Sequence, residues 1–433
     1  MTPGGRVQAA IEILDAILAP PAGRERTPAH AVVAGYTRKR RYIGSKDRRA
    51  ITGLVWQALR YRGRALWASG RERLSGRELA VAALAGAAGL SDADMDSQFG
   101  GSAYGPRELS ASERALADAV RSASGPPSWA VANLPDWLAA EAEPVLGHAG
   151  PAGWQALAEE APATLRVNTL KADRDSCLAA LRDAGVDAAP TALSPLGIRL
   201  QSRANLARLP AIRDGWLESQ DEGSQIVAAL VATGPGMQVL DYCAGGGGKA
   251  LALAAAMANE GRIVATDTDA GRLESLPRRA ARAGATIIEC REIEPGAAVE
   301  PAAFDRVLVD APCSGSGAWR RQPEAPWRLD RARYAAQQAA QSEILAAAAP
   351  SVAPGGRLVY ATCSLFPAEN DAIVERFLRA DASFRPVPAG NLWRAILGTE
   401  PPAGVIDGNA ARLLPHSAST DGFFVAAMER ARP

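Results

Sequence analysis

The sequence predicts an α/β protein built on a mostly parallel sheet with helices on both faces, preceded by a small α+β unit and an all-α N-terminal domain. Three observations carry this. From about residue 216 onward short apolar runs alternate with helical patterns, the order that builds parallel sheets. Between about 161 and 210 the pattern is mixed. Before about 145, apolar residues recur only at helical spacing. A length of 433 residues suits two or three domains, and the divisions fall at 1–145, 146–215 and 216–433.

Taken in order, Val7, Ile11, Leu14 and Leu18 predict a helix over 6–19, and Ile51, Leu54, Val55 and Leu59 a second over 47–68. Ser45-Lys46-Asp47 offers caps for the second. Thr164–Asn168 and Ile198–Leu200 read as strands flanking a helix at Asp175–Ala184 that ends at Gly185. Gln238–Asp241 is a strand running into glycines and then an Ala/Leu helix. Arg262–Thr266 is the next strand, followed by a helix over Ala270–Ala283. Arg306–Val309 is a strand, Arg333–Ala349 a long helix, and Arg357–Ala361 a strand after the turn Pro354-Gly355-Gly356. Ligands of such sheets lie beyond the carboxyl ends of the strands, so the residues ending these strands are the candidate site.

Composition removes several function classes. Hydrophobic residues make up 48% and charged residues 22%, the balance of an ordinary globular protein. The three histidines, His30, His148 and His416, lie far apart, which excludes a histidine-built zinc site or an H-E-x-x-H protease; no metal is expected. Five cysteines, an odd number, do not make a disulfide scaffold, and a reducing cytoplasm is the expected location. The first residues lack the basic start and apolar block of a secretory leader, and no run of 18 apolar residues suggests a membrane span.

The formal charge of +1 hides an asymmetry. Residues 1–80 hold 16 Lys and Arg against 6 Asp and Glu, and the remainder holds 32 against 41. The cations cluster at Arg38-Lys39-Arg40-Arg41, then Lys46, Arg48 and Arg49, then Arg60, Arg62 and Arg64. A charge run is most often a solvated helix face. Here Tyr36, Tyr42, Trp56, Tyr61 and Trp67 interleave with it, a combination that also suits nucleic acid.

The stretch Asp241-Tyr-Cys243-Ala244-Gly245-Gly246-Gly247-Gly248-Lys249 follows a strand and opens a helix, where glycines let the backbone approach a ligand. A phosphate-binding P-loop needs Gly at 243 and Ser or Thr at 250, but Cys243 and Ala250 stand there. A dinucleotide fingerprint is met by Gly245, Gly247 and Ala250, with Asp267 ending the next strand. An S-adenosylmethionine loop, with Asp267 on the ribose hydroxyls, is met equally well. Two further strands end in Asp310-Ala-Pro-Cys313-Ser314-Gly and Tyr360-Ala-Thr-Cys363-Ser364. A lone cysteine is most often core filler, but two at one sheet edge suggest a nucleophilic thiolate. Lys249 and Arg320-Arg321 are candidates to lower a thiol pKa.

With these motifs assembled, the chain resembles the RsmB/Nop2/NSUN family of RNA cytosine-5 methyltransferases over about residues 128–428. The resemblance rests on Leu165-Arg166-Val167-Asn168, Gln220–Gln225, the Asp241–Lys249 loop and the two cysteine motifs. It continues through Trp319-Arg320-Arg321-Gln-Pro323, Pro367-Ala-Glu369-Asn370 and Asp421-Gly422-Phe423-Phe424. Residues 1 to about 90 resemble the helical, NusB-like extension of some bacterial members.

The resemblance implies a Rossmann-like class I S-adenosylmethionine-dependent methyltransferase domain and an RNA substrate, ribosomal before transfer RNA, bound by a monomer. Cys363 would add to cytosine C6, Cys313 would assist release, Asp310 would stabilise the adduct, and Lys249 would orient Asp310 or the base. Cys243–Lys249, Asp267, Asp310 and Glu292 would hold the cofactor. Glu292 enters through a departure: the family acid on the adenine side falls at Arg291 here, and Glu292 beside it is the substitute. RNA is expected to be gripped by the helical N-terminal domain and the small α+β unit, with contacts from Arg38, Lys39, Arg40, Arg41, Lys46, Arg48, Arg49, Arg166, Asn168, Arg320 and Arg321. A NAD-dependent oxidoreductase built on the glycine loop would leave both cysteine motifs and the basic arm without a role.

Overall fold

Successive side chains in the strands after residue 238 fall alternately into two separate apolar clusters, so the sheet they form is covered on both faces. The computed structural model describes residues 1–19, 27–100, 104–202 and 204–432. It divides the chain into two units, Met1–Glu160 with Trp319–Leu329, and Ala161–Ala318 with Asp330–Pro433.

The first unit is helical among its described residues. Its long helices are Pro3–Leu18, Ala29–Lys39, Ser45–Ser69 and Ala111–Ser122, with Asp136–Leu146 and Gly150–Ala158 at its end. Ile13, Leu14, Ile51, Leu59 and Leu79 are buried at the centre. Ser75–Glu78 and Ser110–Glu113 form reciprocal capping boxes. Two bonds explain why residues 319–329 belong here. The helix Ala29–Lys39 has no local side-chain cap, and buried Glu324 accepts from its first amide, Ala29 N–H, at 2.9 Å. Asn133 Oδ1 accepts from Gly63 N–H at 2.9 Å, while its Nδ2 donates to the Leu59 and Pro323 carbonyls at 3.1 and 3.2 Å. The division expected near 145 is therefore not where compactness divides the chain. The last helices pack with the first unit, and the segment carrying Arg320 and Arg321, although it interrupts the second unit in sequence, belongs to the first.

The second unit holds two sheets. In the smaller, β1 (Thr164–Val167), β2 (Ala188–Pro190), β3 (Gly197–Leu200) and β4 (Leu217–Ser219) run antiparallel in the order β2-β3-β1-β4. The helix Arg174–Asp183 covers them, burying Cys177 and Leu181. In the larger, β5 (Gln238–Asp241), β6 (Arg262–Asp267), β7 (Ile288–Glu292), β8 (Phe304–Asp310) and β9 (Val352–Thr362) are parallel in the order β9-β8-β5-β6-β7. Antiparallel strands β10 (Phe384–Val387), β11 (Ile406–Asp407), β12 (Ala410–Leu413) and β13 (Phe423–Arg430) complete it beyond β9. This is the class I methyltransferase fold with a small α+β layer before it. No helix among the described residues is long and apolar enough to cross a membrane.

Three local differences from the sequence expectation have plain causes. The helix expected over 270–283 is two pieces, Ala270–Leu273 and Leu276–Ala283, because Pro277 has no amide to continue the first. The turn at 354–356 lies inside β9, where Gly355 (φ 76°) lets extra residues loop out against a register shift in β8. β7 was not expected as a strand, since most of it is exposed and polar.

Asn133 also adopts φ 60°, which Asn tolerates better than other side chains. Asn133→Ala is expected to lower the stability of the helical unit by about 1–3 kcal/mol, read from urea denaturation followed by far-ultraviolet circular dichroism.

Candidate active site

The parallel strands end in acids along one edge. β5 ends at Asp241, β6 at Asp267, β7 at Glu292 and β8 at Asp310, while β9 ends at Thr362, next to Cys363. Asp267 is in register with Glu292, and Asp310 with Ala361. The structure thus brings the glycine loop, Asp267, Glu292, Asp310, Cys313 and Cys363 to a single edge.

The loop after β5 is held by its own backbone and by two arginines. Ala244 N–H donates to Thr266 O at 2.8 Å, and Gly245 N–H to Asp267 Oδ2 at 3.0 Å. The Gly246 carbonyl accepts from Arg279, and the Gly248 carbonyl from Arg166 at 2.8 Å. Gly247 has φ 76°, and a Cβ there would sit 2.1 Å from Leu276 Cδ1, so only glycine fits. Burial, then the charges of Asp241 and Asp310, push the Cys243 thiol far up, so it stays neutral. A loop without side chains at a helix start, facing a row of carboxylates, fits S-adenosylmethionine. The backbone amides suit its amino-acid end, Asp267 its ribose, and the negative edge its sulfonium.

Beside the loop, Lys249 Nζ donates to Asp310 Oδ2 at 2.5 Å. Burial pulls the ammonium pKa down, but the charge and hydrogen bond of Asp310 outweigh it. Asp241 and Cys363 add to them, and the net shift is upward. Lys249 is therefore a cation that feels Cys363. Asp241 is buried, and burial with help from Asp310 pushes its carboxyl up to about 7 against the pull of Lys249.

The two thiols meet. Cys313 Sγ and Cys363 Sγ are 3.5 Å apart, within S–H···S distance. The bond to Cys363, then burial, then the charge of Cys363, push Cys313 well above the ordinary thiol range. Fully buried Glu369 fixes both loops. Its Oε1 accepts from Ser314 N–H at 2.8 Å and from Gln341 Nε2 at 3.0 Å. Its Oε2 accepts from Ser314 Oγ at 2.5 Å and from Ser364 Oγ. Gln341 also donates to Pro312 O at 3.0 Å, Asn370 Nδ2 to Ser364 O at 2.9 Å, and Gly317 N–H to Cys363 O at 2.9 Å. The sequence marked Glu369 and Asn370 as a motif without giving them this positioning role.

The residues expected to touch RNA divide into two groups. Arg38, Lys39, Arg41, Lys46, Arg48 and Arg49 are exposed on the helical unit, and Arg40 lies 3.6 Å over the Tyr36 ring. Arg166 and Asn168 are corrected: both are buried and bonded inside the protein. Arg166 Nη1 donates to Gln220 Oε1 at 2.5 Å and to Gly248 O. Asn168 Nδ2 donates to the Gly215 and Ala283 carbonyls at 2.8 and 2.7 Å. They lock the small sheet to the methyltransferase layer. Arg320 is also buried, whereas Arg321 is exposed. Both lie in the helical unit, while the two thiols and Lys249 lie in the other.

Comparison with known proteins follows the same lines. Residues 228–429 match the model of the 16S rRNA methyltransferase RsmB/F family, and residues 134–207 match the ferredoxin-like domain of RsmF/B-like methyltransferases. A probable ribosomal RNA small subunit methyltransferase B from Synechocystis is 34% identical over 304 residues, covering 69% of this chain and 67% of its own length. The chain belongs to the RsmB/F methyltransferase family. Ribosomal RNA small subunit methyltransferase B from Pseudomonas syringae is 35% identical over 300 residues, covering 67% of this chain and 64% of its own length. The chain thus matches about two thirds of the length of these curated relatives. Among solved structures, PH0851 superposes with a TM-score of 0.76 at 24% identity over 99% of both chains, a likeness of fold.

The raised Asp241 pKa has a stability consequence. The folded protein keeps a proton that the unfolded chain, at 3.8, releases. The stability this group contributes is present below that value and is lost as pH rises through about 7. Asp241→Asn removes the slope. Its stability relative to wild type is expected to improve between about pH 5 and about pH 8 in urea denaturation.

Proposed function

We propose that this protein methylates C5 of a cytosine in RNA, that of the small ribosomal subunit, through a covalent bond between Cys363 and cytosine C6. The observation that carries the reading is the pair of thiols 3.5 Å apart at neighbouring strand ends, beside the Lys249–Asp310 ion pair. The names of the relatives, ribosomal RNA small subunit methyltransferases, support ribosomal RNA as the substrate class. The residues along the strand ends support S-adenosylmethionine as the cofactor, which when bound supplies an electrophilic methyl group.

C5 of cytosine is a poor nucleophile. The Cys363 thiolate forms a bond to C6, and the displaced π electrons make C5 enamine-like. Asp310, fixed by Lys249, accepts a hydrogen bond from the cytosine edge and stabilises the charged adduct electrostatically. After methylation the C5 proton leaves, C5=C6 re-forms, and the C6–S bond breaks to return the Cys363 thiolate. Cys313 fits the release step. Its high pKa stems first from its bond to Cys363 and in part from that residue's charge. Once Cys363 is carbon-bound that charge is gone, and Cys313 becomes easier to deprotonate just when a base is needed. A base in a duplex cannot reach this edge, so the target is unpaired or flipped. The exposed cations of the helical unit suit further contacts with RNA phosphates.

Cys363→Ala is expected to reduce methyl transfer to RNA by about three orders of magnitude or more, measured with a radiolabelled donor; near-normal transfer refutes the nucleophile assignment. Cys313→Ala is expected to form the bond but not release it. It should run as an RNA–protein adduct on a denaturing gel, and free protein with normal turnover refutes the release role.

A further inference from the structure

We propose that an arginine-lined groove on the unit that carries the active site holds the phosphate backbone of the substrate RNA; this rests on the RNA reading above and gives the grip expected of the small α+β unit a place and named residues. The groove encloses about 920 Å³. One wall is the segment around Ile212 and Arg213, leading into β4 of the small sheet. The other is the helix Leu276–Ala283, Leu-Pro-Arg-Arg-Ala-Ala-Arg-Ala, with the turn before it. That helix buries Leu276, Ala280 and Ala283 and carries no acid, so its other side is left to Arg278, Arg279 and Arg282.

Four arginines line the groove, with Glu274 the single carboxylate among the lining side chains. Two of them are pre-set. Arg279 donates to Glu218 at 3.0 Å and to the Gly246 carbonyl, and Arg282 donates to Glu218, which is 5% exposed beneath them. One buried carboxylate cannot neutralise two guanidinium groups. The other two are outward. Arg278 is exposed, and Arg213 has a 72% exposed side chain whose ion pair with neighbouring Asp214, at 3.1 Å, is of the weak surface kind. Lys171 borders the same place, donating to the Arg282 and Asp214 carbonyls.

Position argues for a polynucleotide rather than a small anion. The second wall begins just past the end of β6, where Asp267 sits, and Arg279 touches the cofactor loop itself. In the strand order β6 lies three strands from β9, about 14 Å at the usual strand spacing, so a chain presenting one base to Cys363 can place neighbouring phosphates along this edge. Planar guanidinium forks match phosphate oxygens two at a time.

The test uses the full chain with Arg213 and Arg278 both changed to Ala, substitutions that remove no internal bond of the second unit beyond the Arg213–Asp214 pair. A fluorescent cytosine-containing RNA hairpin is titrated by anisotropy at several salt concentrations, with S-adenosylmethionine binding by calorimetry as the check on folding. Losing two phosphate contacts should make the log–log salt slope shallower by about 1.4, at about 0.7 per contact for single strands. The corresponding double Arg→Lys variant should retain most of the slope. A slope and affinity equal to wild type overturn the groove. The slope difference between wild type and variant, found with a wild-type protein that transfers no methyl to RNA, overturns the proposed function and upholds the groove. Wild-type protein that binds no RNA overturns both.

Discussion

The carboxylate of Glu369 is the constraint on which the catalytic edge depends. Cys313 and Cys363 come from the loops after two paired strands, 50 residues apart in sequence, and Glu369 adds a buried anchor to the bond from Gly317 N–H to Cys363 O that already joins the loops. Glu369 accepts from the Ser314 amide and hydroxyl and from the Ser364 hydroxyl, and so ties the residue after each cysteine to one buried point. Its surroundings are built to keep it there. Gln341 reaches it from the long helix Arg331–Ala348, and the Tyr360 hydroxyl donates to its carbonyl at 2.7 Å. A carboxylate with every lone pair engaged in a site sealed from water is expensive to misplace. The spacing of the thiols inherits that rigidity.

A second set of polar contacts does similar work for the cofactor loop. Four consecutive glycines would be floppy on their own. Arg166 and Arg279 approach from the small sheet and from the following helix, and each satisfies a carbonyl of the loop. Burial lowers the Arg166 pKa to about 10, which leaves it charged at neutral pH and its bonds charge-assisted. Asn168 joins the same two layers at the Gly215 and Ala283 carbonyls. The small α+β layer is thus part of the scaffold of the catalytic edge. In the proposed function, the loop that receives the methyl donor and the groove for RNA share Arg279 as a common wall.

Much of this was legible in the sequence, for reasons that can be named. β5 is found to the residue, since Gln-Val-Leu-Asp stops at a glycine run, and the β8 and β9 ends are marked by Asp and Cys after apolar residues. The last strand, β13, was not legible. Phe423–Met428 is buried on both faces, and a continuous apolar run has neither the period of a strand nor that of a helix. β7 hid for the opposite reason, as a polar strand at the sheet edge. Arg166 and Asn168 look like RNA contacts in sequence because burial cannot be read from residue type alone. Glu369 was visible only as a member of a motif; beside Ser364, its partners Gln341 and Ser314 lie 28 and 55 residues away and meet it only in the fold.

The division of labour between the two thiols is the central claim, and trapping tests it directly. RNA carrying 5-fluorocytosine cannot lose a proton from C5 after methylation, so the enzyme should remain bonded to C6. Digestion and mass spectrometry of the trapped wild-type complex then locate the bond. The nucleotide is expected on the peptide containing Cys363, with Cys313 free. A nucleotide on Cys313, or methylated RNA released with no adduct, would contradict it.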